Sequence, residues 1–296
     1  MGTRGSALAL AQSSQAARAL ERLSPGLAVE TVVIKTSGDL YGAPSPEVAK
    51  TLPQGAKGVW IKELEEALLD GRVDFAAHSA KDLPALLAAG LSIAAFPERE
   101  DPRDAFVARP GLTWETLPAG AKVATSSLRR GLMIAAAKPG VTVLPLRGNV
   151  DTRLRKLDEG EFDAMVIAVA GIKRLGRGDI RYEALDTLVM LPAPAQGALA
   201  LEIRTGRRDV AELVSKLDHE PTRICVEFER AFLGAAGGDC SSPVAAFARL
   251  QSGGILFEGY FAHDGEKSGK RVAGLCGDRG RREAFIADLA AQAKAR

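Results

Sequence analysis

The chain has 296 residues, of which 46% are hydrophobic and 26% charged, a composition typical of a globular protein with two or three modest domains. Its longest apolar run, residues 83–96, contains a proline and a glycine and is too short to span a bilayer, so we expect no membrane contact. The net charge is only +2 and aromatic residues make up 5%, so the basic, aromatic-rich surface of a nucleic-acid-binding protein is not expected.

Alternating strand and helix patterns run along the first two thirds of the chain. We predict helices at 61–71 and 149–160, each ended by a glycine, and buried strands at 28–34, 72–77, 141–146 and 162–169. Alternation of this kind predicts an α/β fold with a mostly parallel sheet.

Two proline-containing stretches, residues 96–101 and 191–197, enclose about ninety residues, the size of one compact domain. We interpret them as paired crossovers, after which a strand at 198–204 returns to the first domain. The predicted domains are 1–97 with 198–216, then 102–192, and a small α+β domain at 218–296. A cleft is expected between the first two.

Arginines follow several predicted strands, although the chain has little excess positive charge. The loops after the carboxyl ends of parallel strands line ligand sites, and guanidinium groups bind carboxylates or phosphates in pairs of hydrogen bonds. This pattern favours a ligand with several anionic groups. Surface solubility and helix ion pairs are the alternative explanation, above all for Arg155. The residues concerned are Arg4 with Ser6, Arg129, Arg130, Arg147, Arg153 and Arg174.

The segment VDFAAHSAKDLP carries polar residues to the end of a predicted strand, with His78, Lys81 and Asp82 expected at its rim. A carboxylate beside a lysine stays ionised at neutral pH. Asp82 therefore either caps a turn, or stabilises a cation and moves a proton during a reaction.

Three cysteines, Cys225, Cys240 and Cys276, lack the paired spacing of a disulfide framework or a zinc site, and the three histidines are scattered. We expect a reducing, cytoplasmic environment and no metal. Cys240 lies in GGDCSSP, a turn-forming sequence, so it is either an unimportant loop residue or an accessible, reactive thiol. Cys225 and Cys276 are expected to pack in the interior.

Together these segments resemble the hydroxymethylbilane synthase family, also called porphobilinogen deaminases. The motifs occur in family order along nearly the whole chain: GTRGSALALAQ, KTSGD, KGVWIKELEEALLDG, HSAKDLP, ATSSLRR, LRGNVDTRLRKL, AVAGIKRLG, AQGALALE and GGDCSSP. The resemblance implies two domains like type II periplasmic binding proteins, with a cleft between them, and a small α+β domain that carries a dipyrromethane cofactor.

The resemblance also implies the chemistry. The family condenses four porphobilinogen molecules onto the cofactor with loss of ammonia, then hydrolyses the chain to hydroxymethylbilane. It implies that Asp82 is catalytic and that Cys240 holds the cofactor as a thioether. The implied cofactor-binding residues are Lys81, Thr125, Ser127, Arg129, Arg130, Arg147 and Arg153, and the implied substrate-binding residues are Arg4, Ser6, Trp60, Arg174 and Gln196.

Two residues depart from the family pattern: Trp60 stands where phenylalanine is usual, and Ala195 where glycine is usual. A monomer without nucleic-acid or membrane partners is expected. The alternative is a non-catalytic two-lobed protein that binds a polyanionic small molecule. Such a protein would need neither Asp82 nor Cys240.

Overall fold

A computed structural model describes residues 1–38, 60–238 and 242–295. The helices are α1 (Ala7–Leu23), α2 (Lys62–Leu69), α3 (Leu128–Ala137), α4 (Val150–Asp158), α5 (Val169–Arg174), α6 (Arg208–Val214), α7 (Glu220–Ala236) and α8 (Arg282–Lys294). The strands are β1 (Gly2–Thr3), β2 (Val32–Val33), β3 (Phe75–Ser79), β4 (Leu91–Ala95), β5 (Asp104–Ala108), β6 (Lys122–Ala124), β7 (Thr142–Leu144), β8 (Ala164–Ala168), β9 (Glu183–Ala184), β10 (Leu199–Arg204), β11 (Val244–Gln251), β12 (Gly254–Phe261) and β13 (Lys270–Cys276).

The chain divides into two compact units. Unit 1 contains Met1–Glu100 and Gly197–Ile224, and unit 2 contains Asp101–Gln196 and Cys225–Arg296. The chain therefore passes from one unit to the other close to the two proline-containing stretches, and a third time between Ile224 and Cys225. The separate third domain predicted at 218–296 stays a prediction.

Unit 1 is built on a five-stranded sheet of order β2-β1-β3-β10-β4. Strand β1 pairs in parallel with β2 and β3, whereas β10 is antiparallel to both β3 and β4. The predicted return strand is confirmed, because β10 pairs with β3 from Leu199 opposite Ser79 to Ile203 opposite Phe75. Buried apolar side chains of α1, β3, β10 and α6 form one core of this unit.

Unit 2 repeats the same arrangement in a sheet of order β7-β6-β8-β5-β9. Here β6 pairs in parallel with β7 and β8, and β5, which enters from the first crossover, is antiparallel to β8. A second, antiparallel sheet β11-β12-β13 packs on the first, since Ala245 and Tyr260 share a core with Phe106 and Val123.

In each sheet four strands run in the same direction and one runs against them, β10 in unit 1 and β5 in unit 2, as in the type II periplasmic-binding-protein fold. The predicted mostly parallel sheet is therefore confirmed in both units, apart from this one strand, which arrives from the other crossover.

The prediction of a buried strand at 28–34 was wrong. Only Val32 and Val33 form β2, and both are exposed, because β2 is the edge strand and pairs with β1 alone.

Helix boundaries follow their local sequence. Ser6, Ser127 and Asn149 cap α1, α3 and α4 through side-chain oxygens that accept backbone N–H groups. The predicted glycine stops are confirmed, with φ of 80° at Gly71 and 77° at Gly160. Among the described residues, no helix combines the length and apolarity that crossing a bilayer requires.

Candidate active site

Parallel strands β1 and β3 of unit 1 end at the same sheet edge. Arg4 and Ser6 follow β1, and the Oγ of Ser6 accepts the N–H of Ala9 at 3.2 Å to start α1. One turn further along α1, Gln12 Nε2 donates to the Oγ of Ser79, the last residue of β3, at 2.8 Å. This bond ties the start of α1 to the segment that carries Lys81 and Asp82.

Asp82 ends a short 3-10 turn, Ala80–Asp82, directly after β3. The turn is anchored from both sides, since Ala80 N–H donates to Ala198 O at 3.0 Å and Leu83 is fully buried. Asp82 itself is only partly buried, and no hydrogen bond or ion pair from the described part of the chain engages its carboxylate. The backbone at Asp82 is therefore fixed, while its carboxylate has no partner among the described residues.

His78 lies behind this edge, not at the rim where it was predicted. Its Nε2 is 3.0 Å from a carboxylate oxygen of Glu202 on β10, and both side chains are buried. Glu65 of α2 lies close to this pair. Its burial and the charge of Glu202 raise the pKa of Glu65, and His78 partly offsets this rise. His78 of β3 thus lies in a polar cluster with the buried Glu202 of β10 and the partly buried Glu65 of α2.

In unit 2, the ends of β6 and β7 are joined by polar contacts. Thr125, directly after β6, is buried, and its Oγ1 accepts the N–H of Ser127 at 3.2 Å. Ser127 caps α3, and Ser126 Oγ donates to Leu146 O just beyond β7. The residues predicted to bind the cofactor from this turn are therefore held at one sheet edge.

Arg129 and Arg130 of α3 both pair with Asp104, the first residue of β5. Asp104 Oδ2 accepts Arg129 Nη1 at 2.7 Å, while Oδ1 accepts Arg130 Nη2 at 2.6 Å and Nε at 3.0 Å. All three side chains are buried, that of Asp104 completely. Asp104 was missed from the sequence, although a lone acid opening a buried apolar strand is the signal that could have shown it.

The charges of this cluster do not cancel. Burial by itself would raise the pKa of Asp104, but the guanidinium groups of Arg129 and Arg130 outweigh it and hold that pKa far below its usual range. One carboxylate thus faces two guanidinium groups, and the buried Nε of Arg129 has no hydrogen-bond partner among the described residues. A net positive charge with a spare donor fits a carboxylate-bearing cofactor.

Gln196 is fully buried and joins this cluster. Its Nε2 donates to Pro102 O at 2.7 Å and to Asp104 Oδ1 at 2.9 Å, and its Oε1 accepts Arg130 Nη2 at 3.3 Å. The amide of Gln196 therefore fixes the arginine pair to the crossover residues of unit 2. Its predicted contact with substrate stays a prediction.

Ala195 has φ of 61°, the only positive value for a non-glycine among the described residues. Its N–H donates to Glu229 Oε2 at 2.6 Å, and the other oxygen of Glu229 accepts Ala248 N–H at 2.9 Å. Glu229 is fully buried. This carboxylate, which sequence reasoning missed, stabilises a backbone conformation that usually requires glycine.

The remaining arginines of unit 2 differ in exposure. Arg147 is exposed, whereas Arg153 is partly buried and donates from Nε to Gly148 O at 2.8 Å. Burial and the positive charge of Arg130 lower the pKa of Arg153, so these two cations act on each other. Arg174, at the end of α5, is partly buried. A concentration of positive charge at this edge favours anion binding.

Trp60 and Arg4, both predicted to bind substrate, are in direct contact in unit 1, with the Arg4 Cζ 4.1 Å from the ring centroid.

Cys240 lies outside the described residues. The prediction that Cys225 and Cys276 pack in the interior is confirmed. Within residues 1–38, 60–238 and 242–295, no three metal-ligating side chains are grouped to hold an ion.

Fold and site together define a two-unit α/β protein with arginines and a partly buried aspartate, Asp82, after its strand ends. Comparison with known proteins gives the family. Residues 1–212 match the family described as porphobilinogen deaminase, dipyromethane cofactor binding domain. The chain belongs to the porphobilinogen deaminase family, and the resemblance inferred from its motifs is confirmed. Cys240 lies beyond the matched residues.

Relatives match along nearly the full length. A porphobilinogen deaminase of Sorangium cellulosum (strain So ce56) is 46% identical, with 99% of this chain and 97% of the relative covered. One from Roseiflexus sp. (strain RS-1) is 45% identical, with 93% and 88% covered. Among solved structures, the periplasmic VFT2 domain of Bordetella pertussis BvgS is 19% identical over 69% of this chain and 75% of that one, with a TM-score of 0.39.

Proposed function

We propose that the chain is a hydroxymethylbilane synthase, a transferase that joins four porphobilinogen molecules head to tail on a covalently bound dipyrromethane. Each joining step releases ammonia, and hydrolysis finally frees the linear tetrapyrrole. Family membership over nearly the whole chain carries this proposal. The cytoplasm is the proposed location and a monomer the proposed form.

The arginine-rich edge of unit 2 supports the binding half of this function. Porphobilinogen carries an acetate and a propionate, so every added pyrrole brings two carboxylates. Arg147, Arg153 and the Arg129–Arg130 pair supply guanidinium donors, which bind carboxylates with two hydrogen bonds each. Further polar contacts are proposed from hydroxyl, cationic and amide side chains. These residues are Thr125, Ser127, Ser6, Lys81, Arg4, Arg174 and Gln196.

Cys240 is proposed to hold the dipyrromethane through a thioether. A thiolate is a strong nucleophile towards an electrophilic methylene carbon, and the resulting bond survives turnover. When bound, the dipyrromethane supplies the free pyrrole α-carbon to which the first substrate is joined.

Asp82 is proposed as the catalytic group. Loss of ammonia from porphobilinogen leaves a cation, which an ionised carboxylate stabilises, and the α-carbon of the accepting pyrrole must then lose a proton. The Asp82 carboxylate is partly exposed, and its backbone is fixed between β3 and β10. These observations support the proposal that Asp82 accepts pyrrole N–H groups and that proton.

Incubation with porphobilinogen tests the proposal. The expected products are ammonia and a linear tetrapyrrole that cyclises in solution to a porphyrin precursor. A protein that binds porphobilinogen but releases no ammonia would instead be the non-catalytic binding protein, and the proposed function would be wrong.

A further inference from the structure

The guanidinium group of Arg4 lies over the indole of Trp60, with Cζ 4.1 Å from the ring centroid. Both side chains are partly buried in unit 1. Tryptophan is the strongest aromatic partner for a cation, and a stacked guanidinium still presents its N–H groups at its edge. The stack therefore fixes the plane in which Arg4 donates hydrogen bonds.

Trp60 is itself held by its neighbours. A Cβ atom at Gly38 would lie 2.2 Å from the indole Cε3, so only glycine allows the ring to pack there. The adjacent Ser37 donates its N–H to Glu63 Oε1 at 2.8 Å, and its hydroxyl donates to the same oxygen. Glu63 lies in the first turn of α2, three residues after Trp60. The segment that ends at Gly38 and the start of α2 thus fix the indole together.

We propose that Trp60 is a positioning residue for substrate: it holds Arg4 in the orientation that receives a carboxylate of porphobilinogen. This inference rests on the proposed function, within which Arg4 binds substrate. An arginine side chain has many rotamers, and an arginine ordered before binding loses less entropy when the carboxylate arrives. Such a residue acts on substrate affinity more than on the chemical step.

Steady-state kinetics of Trp60→Ala and Trp60→Phe test the proposal. Loss of the stack is expected to raise KM for porphobilinogen about tenfold in Trp60→Ala, with kcat within about twofold of wild type. Trp60→Phe keeps a smaller aromatic face and is expected to restore most of the affinity. The cofactor content, read from the intact mass, should stay unchanged in both variants.

Trp114 provides the matched control. It lies in unit 2, packed edge-on against Phe106 at 5.5 Å, and is the only other tryptophan of the chain. Trp114→Phe is expected to keep the wild-type KM. It also leaves Trp60 as the sole tryptophan, so the emission of this variant reports on the stack directly.

Rapid mixing of Trp114→Phe with porphobilinogen is expected to change the Trp60 emission as a carboxylate pairs with Arg4. The same mixing with Arg4→Ala/Trp114→Phe should give no change. If Trp60 emission in Trp114→Phe does not change on mixing, or if Trp60→Ala keeps the wild-type KM, the inference is wrong. The proposed function would still stand in both cases. A wild-type protein that releases no ammonia from porphobilinogen overturns both.

Discussion

Asp104 and Arg130 form a two-point ion pair in the interior of unit 2, in which one carboxylate oxygen accepts both Nε and Nη2 of the guanidinium. The other oxygen binds Arg129. Two side chains predicted to bind the cofactor are thus oriented by an acid that contacts no solvent. Asp104 links the stability of unit 2 to the geometry of its binding edge.

Asp104→Asn should lower the free energy of unfolding by about 3–5 kcal/mol, because it leaves two buried guanidinium groups without their counter-charge. Urea unfolding followed by circular dichroism measures this loss. Asp179→Asn is the control, since Asp179 pairs with Arg177 at the surface and its loss should change stability little. Equal stability of the two variants would contradict the assigned role of Asp104.

The same pair predicts a pH dependence. The pKa of Asp104 is lowered on folding, so its stabilisation is complete well above the unfolded value of 3.8 and is lost as the pH falls towards the folded value. The difference in unfolding free energy between wild type and Asp104→Asn should be constant from about pH 5 to 8 and shrink below about pH 4. A difference that grows on acidification would have the wrong sign for this pair.

Ala195→Gly should raise the free energy of unfolding by up to about 1 kcal/mol. Glycine adopts a φ of 61° without the steric cost that alanine pays, although the unfolded chain gains some entropy. Ala193→Gly, two residues earlier and at an ordinary φ, should be destabilising. Thermal unfolding of wild type and both variants measures these changes. A melting temperature of Ala195→Gly below that of wild type would mean that the backbone at Ala195 is not strained.

Asp82→Asn should keep the cofactor and the fold but lose turnover at least about 100-fold, since the partly buried carboxylate is proposed to support the reaction and has no partner among the described residues. Single-turnover ammonia release and the intact mass separate these effects. Asp70→Asn, an exposed change on the same unit, should retain full activity. Near-normal turnover in Asp82→Asn would remove Asp82 from the mechanism.

Arg147→Ala should raise KM for porphobilinogen or weaken cofactor retention by about tenfold, because it removes a guanidinium group proposed to bind a carboxylate with two hydrogen bonds. Arg155 gives a matched control: it is also exposed in unit 2 but pairs with Glu159, the residue that follows α4. Arg155→Ala is expected to behave as wild type. If the two variants have the same KM and the same cofactor retention, Arg147 does not bind substrate or cofactor and only makes the surface more soluble.

Local sequence patterns predicted most of the fold. The glycine stops at Gly71 and Gly160 and the returning strand β10 were all readable from residue order. The burial of β2 was predicted wrongly, because an apolar run does not reveal whether its strand lies at the centre or the edge of a sheet.

The buried polar clusters were not predicted. Asp104 and Arg129 are 25 residues apart, and Glu229 binds a backbone N–H 34 residues away. Such pairs depend on the tertiary fold and leave no periodic signal in the sequence. His78 illustrates the same limit, since it was predicted at the rim of the sheet and instead lies within β3 beside Glu202, a partner that the sequence did not indicate.

The intact mass of the untreated protein, made in a cell that synthesises haem, shows whether a dipyrromethane is attached to Cys240. The wild-type mass should exceed that of the polypeptide by two pyrrole units, and Cys240→Ala should show the bare polypeptide mass and no turnover. Two pyrrole units still present in Cys240→Ala, or an active wild-type protein of unmodified mass, would contradict the account.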